Sequence, residues 1–262
     1  MNRIEKKFIE LKRQKRKAFI AYIMAGDPSL KITFALVLEL EKQNVDIIEL
    51  GVPFSDPVAD GPTIQKAGLR ALKNKVNLKD ILNLVSKLRK RSQVPIVLMS
   101  YYNILFRYGI EKFIKEAKRC GVDGIIVPDL IPEEAEDLIK MAKQKNISTI
   151  FLVSPISTLE RVKKIIQAST GFIYYVSLTG VTGAREKLPK QIFEDVKRIK
   201  SLTDKPVCVG FGISRSEQIK AINRVADGVV VGSAIVEIIE KNIDKKDLVK
   251  RVGQFINKLI SP

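Results

Sequence analysis

Eight short, β-rich apolar runs recur along the chain, each followed by a helical pattern, and this alternation restricts the fold more than any other feature. The runs are Ala18–Met24, Asp46–Leu50, Val94–Met99, Gly124–Val127, Ser148–Val153, Gly171–Val176, Val207–Gly210 and Gly228–Val231. They are continuously apolar rather than alternating, as strands of a parallel sheet covered on both faces are. An amphipathic segment near residues 2–14 precedes them. Between the runs, apolar residues return at helical spacing, as in Leu78, Ile81, Leu82, Val85 and Leu88. Asn77 with Asp80 resembles a capping box, while Ser157 with Glu160 and Ser214 with Glu217 match it fully. The expectation is an α/β chain with residues 1–262 in a single domain, a closed (β/α)8 TIM barrel with an extra N-terminal helix. An open doubly wound sheet competes, but such sheets usually have fewer strands. They often carry a Gly-rich fingerprint after the first strand, where this chain has Ala25-Gly26-Asp27-Pro28.

Missing residue types narrow the chemistry. The absence of histidine removes Ser-His-Asp and Cys-His nucleophile systems, histidine bases and the commonest zinc sites. Cys120 and Cys208 belong to no ligand pair, which argues against disulfide frameworks and thiolate metal sites. No lysine sits in or directly after a strand end, against a Schiff-base aldolase, and no carboxylate cage for magnesium or calcium is evident. No metal is therefore expected. No apolar run approaches the roughly 20 residues of a membrane span, and the opening residues lack a secretory core. A soluble protein of a bacterial cytoplasm, or of a plastid stroma given the Lys, Ile and Asn usage, is expected. The net charge of +17 invites a nucleic-acid reading, but the lysines are spread along the whole chain, so no nucleic-acid partner is expected.

Active sites of such barrels lie at the C-terminal ends of the strands, so those positions carry the functional question. Glu49 falls near the end of the second run, where a charge needs either a task or a buried Lys or Arg partner. In the loop that follows, Asp60 precedes Gly61-Pro62 and can either cap the next helix or do chemistry. Glycines mark the ends of the last runs: Gly210-Phe211-Gly212-Ile213-Ser214, then Gly232-Ser233-Ala234 opening a short helix. Backbone N–H groups at such turns and the positive end of a helix hold phosphate without a lysine, although simple turn glycines would look alike. The stretch Leu178 to Arg185 reads either as a mobile lid or as a loose loop.

The run LGVPFSDPVADGPTIQ at Leu50–Gln65, with GVTGAR at Gly180–Arg185, GFGIS at Gly210–Ser214 and GSAIV at Gly232–Val236, closely resembles the tryptophan synthase alpha subunit. The similarity runs through nearly the whole chain. It implies cleavage of 1-C-(indol-3-yl)glycerol 3-phosphate to indole and glyceraldehyde 3-phosphate, with no cofactor in this subunit. It also implies a beta-subunit partner, which carries pyridoxal phosphate, in an alpha2beta2 tetramer. By motif position, Glu49 resembles the catalytic acid-base and Asp60 the second catalytic carboxylate. The same transfer places phosphate at the backbone of Gly183, Gly212, Gly232 and Ser233, with Tyr22, Tyr101, Tyr174 and Phe211 around the substrate and Thr182 closing toward Asp60. Position 22 is Tyr where many relatives have Phe, and Leu178-Thr179 replaces a more polar pair. The segments around Asp56-Pro57, Tyr101 to Phe106 and Asp129 to Pro132 would face the partner. The runners-up are another phosphate-binding barrel of the same pathway, whose synthase would need a strand-end lysine, and a basic nucleic-acid-binding protein.

Overall fold

The computed structural model describes residues 1–176, 188–210 and 212–260. Among these, nine parallel strands form one sheet: β1 (Ala18–Met24), β2 (Ile47–Gly51), β3 (Ile96–Met99), β4 (Gly124–Ile126), β5 (Ser148–Ile150), β6 (Leu152–Val153), β7 (Ile173–Val176), β8 (Val207–Gly210) and β9 (Gly228–Val231). The sheet order is β5-β4-β3-β2-β1-β9-β8-β7-β6. Its two ends, β5 and β6, are separated in the chain by Phe151 alone, so the sheet closes into the expected barrel of eight strand positions. The fifth run breaks there because the Phe151 amide donates to Ser169 Oγ at 3.3 Å instead of to a neighbouring strand.

The helices are α1 (Arg3–Arg13), α2 (Leu30–Lys42), α3 (Pro62–Lys73), α4 (Leu78–Leu88), α5 (Tyr102–Tyr108), α6 (Ile110–Cys120), α7 (Glu136–Gln144), α8 (Leu159–Ala168), α9 (Lys190–Lys200), α10 (Ser216–Asn223), α11 (Ser233–Lys241) and α12 (Leu248–Ile260). The α4 capping box at Asn77 and Asp80 forms as expected. The α8 cap moves one residue on, to Thr158, because Ser157 Oγ is taken by the Ser154 amide at 3.1 Å. Ser214 is not a cap either: Arg215 holds the N-cap position of α10, and the Gln218 side-chain carbonyl reaches back to accept from the amides of Ser214 and Arg215.

Alternation along the strands separates two cores. Phe19, Ala21, Ile23, Ile48, Leu50, Ile96, Leu98, Val209 and Val229 join the outer core shared with the helices. Ala18, Ile20, Ile47, Val97, Ile126, Ile150, Cys208 and Val230 fill the barrel interior. The extra N-terminal helix completes that interior: Ile4, Phe8 and Leu11 of α1 pack into it, with the Phe8 and Phe172 rings 5.9 Å apart. Because strand side chains alternate, Tyr22, Glu49, Met99, Tyr174 and Gly210 share the inward parity, one or more layers nearer the strands' C-terminal ends.

Three aspartates fasten the opposite end. Asp46, Asp123 and Asp227 each stand one residue before a strand and accept a backbone N–H from the start of the strand before it. The donors are Phe19 (2.9 Å), Ile96 (2.9 Å) and Val207 (3.1 Å). Asp46 was expected to begin the second strand; its side chain instead makes this clamp, and the strand starts at Ile47.

Candidate active site at the barrel mouth

Glu49 lies in register with Tyr22 of β1 and Val97 of β3, so its inward side chain sits one inward position beyond the apolar pair Ile20 and Ile47. It is 1% exposed, and its Oε2 has no hydrogen-bond partner among the described residues. No lysine or arginine among them pairs with it, which leaves the buried ion-pair alternative without a partner. Burial in this apolar setting, with the nearby charge of Asp60, pushes the Glu49 carboxyl up to about 8.

Asp60 reaches the same space from the loop after β2. Pro62 occupies the first turn of α3 and Gly61 the N-cap position, with no side-chain cap bond, so Asp60 is not spent on capping. Burial raises its carboxyl to about 6, and a hydrogen bond from Tyr101 acts in the opposite sense. The Tyr101 hydroxyl also accepts from the Ala59 amide at 3.0 Å, while its ring stacks on Phe54 at 5.2 Å. Those two contacts tie the stretch leading up to Asp60, at Phe54 and Ala59, to the N-terminus of α5.

Two inward tyrosines occupy space that glycines leave open. A Cβ on Gly51 would run into the Tyr22 hydroxyl, and one on Gly210 into the Tyr174 ring and hydroxyl. Burial, then the carboxylates, holds both phenols well above their usual range, Tyr22 by Asp60 and Glu49 and Tyr174 by Glu49. They remain neutral hydrogen-bonding groups. Past β8, Gly212 adopts φ +67 with nothing near its missing Cβ, a conformation that side chains rarely take. Past the neighbouring β9, Gly232 is the N-cap of α11 without a side-chain cap bond, and Ser233 opens that helix. Two adjacent strand ends thus present backbone turns to the mouth. Thr182, Gly183 and Phe211 lie outside the described residues.

The mouth also bears exposed apolar side chains on the segments after β2, β3, β4 and β6: Val58, Phe106, Ile131 and Ile156. A polar cleft of about 710 Å³ opens at the other end, beside α1, but its Asp46 and Asp123 are already engaged in the strand clamps. Among the described residues, no group of three or more Cys, Asp or Glu is placed to hold a metal, and no helix is long and apolar enough to cross a membrane. Sequence reasoning left Asp27 unused, although it follows the first strand end. It is buried and held in a two-pronged ion pair by Arg70 of α3, at 2.8 and 2.9 Å.

Comparison with known proteins agrees with this geometry. Residues 8–259 match the family model described as tryptophan synthase alpha chain. The chain is 48% identical to the tryptophan synthase alpha chain of a Thermoanaerobacter species over 259 residues, covering 99% of this chain and 98% of the relative. It superposes on the crystal structure of tryptophan synthase subunit alpha from Legionella pneumophila with a TM-score of 0.92 at 39% identity, covering 99% and 97% of the two chains. A chain from the tryptophan synthase α2β2 complex of Pyrococcus furiosus gives a TM-score of 0.88 at 41% identity, covering 94% of this chain and 98% of that one. With its barrel, its mouth carboxylates and full-length likeness, this chain belongs to the tryptophan synthase alpha chain family, the lyases that cleave indole glycerol phosphate.

Proposed function

We propose that residues 1–262 work as one domain that splits 1-C-(indol-3-yl)glycerol 3-phosphate by proton transfer between Glu49 and substrate, with Asp60 holding the indole nitrogen. The observation that carries the reading is the unpartnered Oε2 of a buried Glu49 whose carboxyl is raised to about 8. At neutral pH that group holds a proton it can give. Delivered to indole C3, the proton produces an indolenine and leaves Glu49 as carboxylate. The carboxylate then takes the proton of the glycerol hydroxyl beside the scissile bond. As that oxygen becomes the aldehyde carbonyl, the C–C bond breaks and its electron pair returns to the indole ring. Glu49 ends protonated, and the sum is substrate to indole plus glyceraldehyde 3-phosphate.

Asp60, raised only to about 6, is ionised at neutral pH. It accepts from the indole N–H, whose positive character grows as C3 is protonated. Gly212, Gly232 and Ser233 receive the phosphate through backbone N–H groups and the N-terminal end of α11, and Gly183 joins them by motif position. Tyr22, Tyr101, Tyr174 and Phe211 frame the organic part, and Thr182 closes toward Asp60. This chemistry needs no cofactor in this chain; pyridoxal phosphate is assigned to the beta subunit. The exposed Val58, Phe106, Ile131 and Ile156 are the surface we assign to that subunit in an alpha2beta2 assembly, and a bacterial cytoplasm is the compartment we favour.

The test is indole release from indole glycerol phosphate by the wild-type chain and by Glu49→Gln, with and without a beta subunit. The variant should bind substrate and lose turnover. A near-normal rate would sink the assignment.

A further inference from the structure

Arg70 makes three hydrogen bonds with two carboxylates: Nε and Nη2 to Asp27 at 2.8 and 2.9 Å, and Nη1 to Glu240 at 2.9 Å. These residues come from three parts of the mouth. Asp27 follows β1, the strand that carries Tyr22. Arg70 lies on α3, whose first residue comes two positions after Asp60. Glu240 lies on α11, whose first residue is Ser233. The contact is continued by a small apolar cluster in which Tyr22 and Met24 of β1, Ile64, Ala67 and Ala71 of α3, and Val236 of α11 pack together. The guanidinium is four-fifths buried and Asp27 is almost wholly so, whereas Glu240 is 36% exposed. An Arg fork gripping one buried carboxylate with two donors fixes angle as well as distance.

The geometry points to Arg70 as a positioning residue that holds α3, whose preceding loop carries Asp60, in fixed relation to α11, so that phosphate bound at Ser233 orients Asp60. The inference rests on the phosphate and Asp60 roles proposed above. Neither Arg70 nor Glu240 touches substrate on this reading. Each acts by making α3 and α11 a single body, so that binding energy from the remote phosphate is converted into alignment at the reacting end.

The test compares kcat/KM for indole glycerol phosphate with that for its phosphate-free analogue, indole glycerol, in wild type, Arg70→Gln, Arg70→Lys and Glu240→Ala. The expected result is that the advantage conferred by phosphate falls about fivefold or more in Arg70→Gln and Glu240→Ala, while activity on indole glycerol changes far less. Lysine supplies the charge without the fork, so Arg70→Lys should recover only part of the advantage. Glu240→Ala removes only the half-exposed arm and keeps the Asp27 pair, so it remains informative if Arg70→Gln fails to fold. An equal fall on both substrates in Glu240→Ala, or no fall, overturns the inference. Failure of the wild-type chain to release indole from the phosphorylated substrate would instead overturn the underlying assignment.

Discussion

At the scale of single residues, the proposed reaction depends on two carboxyls titrating apart. The proposed mechanism has Glu49 protonated and Asp60 ionised, and the raised values are about 8 and about 6. The kcat/KM profile should therefore be a bell, falling in acid as Asp60 takes up a proton and in base as Glu49 loses one. Tyr101→Phe removes the bond that opposes the rise at Asp60, so the acid limb should move to higher pH; an unmoved limb would count against that bond. Stability gives an independent reading of Glu49. Its folded value lies above an unfolded one of about 4.3, so between those values the folded state binds more protons. Stability is then lost as pH rises through that window, with ionisation of a buried carboxyl as the cost. Glu49→Gln should unfold at higher temperature than wild type near pH 8.5, with the gap closing near pH 5, and an equal gap at both values would contradict the burial argument. Glu49 and Asp60 were legible in the sequence as candidates because their positions at and after a strand end and the missing histidines left few other groups. The Tyr101 bond to Ala59 was not, since its partners are 42 residues apart and meet only through the fold.

At the scale of elements, the repeating strand-helix units were readable, but several boundaries were not. Pro95 was expected inside the third strand; it has no N–H to give, though its carbonyl accepts from Ile48 at 2.9 Å, and the strand starts at Ile96. Gly171 was expected to open the sixth run, but its φ of +86 lies outside strand geometry and the strand there, β7, starts at Ile173. Helix starts depend on which side-chain oxygen wins an amide, and near Ser157 and Ser214 that choice is made by neighbours the capping pattern does not include. The aspartate clamps explain why polar residues stand where strands begin. Asp46→Ala leaves the Phe19 amide without its acceptor and should cost about 1–3 kcal/mol in urea unfolding. Asp123→Ala also strips the partner from Arg89, whose side chain is 10% exposed, and should cost about 3–5 kcal/mol. The reverse order would show that the Arg89 pairing adds nothing to the clamp.

At the scale of the molecule, the N-terminal helix is as much a part of the barrel as any strand. Phe8→Ala should lower stability by about 3–5 kcal/mol while leaving kcat/KM on indole glycerol phosphate unchanged, because Phe8 closes the end opposite the mouth. A matching loss of activity in the folded variant would show coupling along the barrel axis. This closure follows from the amphipathic start of the chain, yet its burial against Phe172 is a long-range packing result that no local pattern specifies. The barrel so closed is a cul-de-sac. Substrate, aldehyde and indole have one doorway among them, and each arrival must wait for a departure. A partner seated over that doorway becomes the route by which indole leaves, and a loosely fitting partner would show itself as indole lost to solvent rather than as slower chemistry at Glu49.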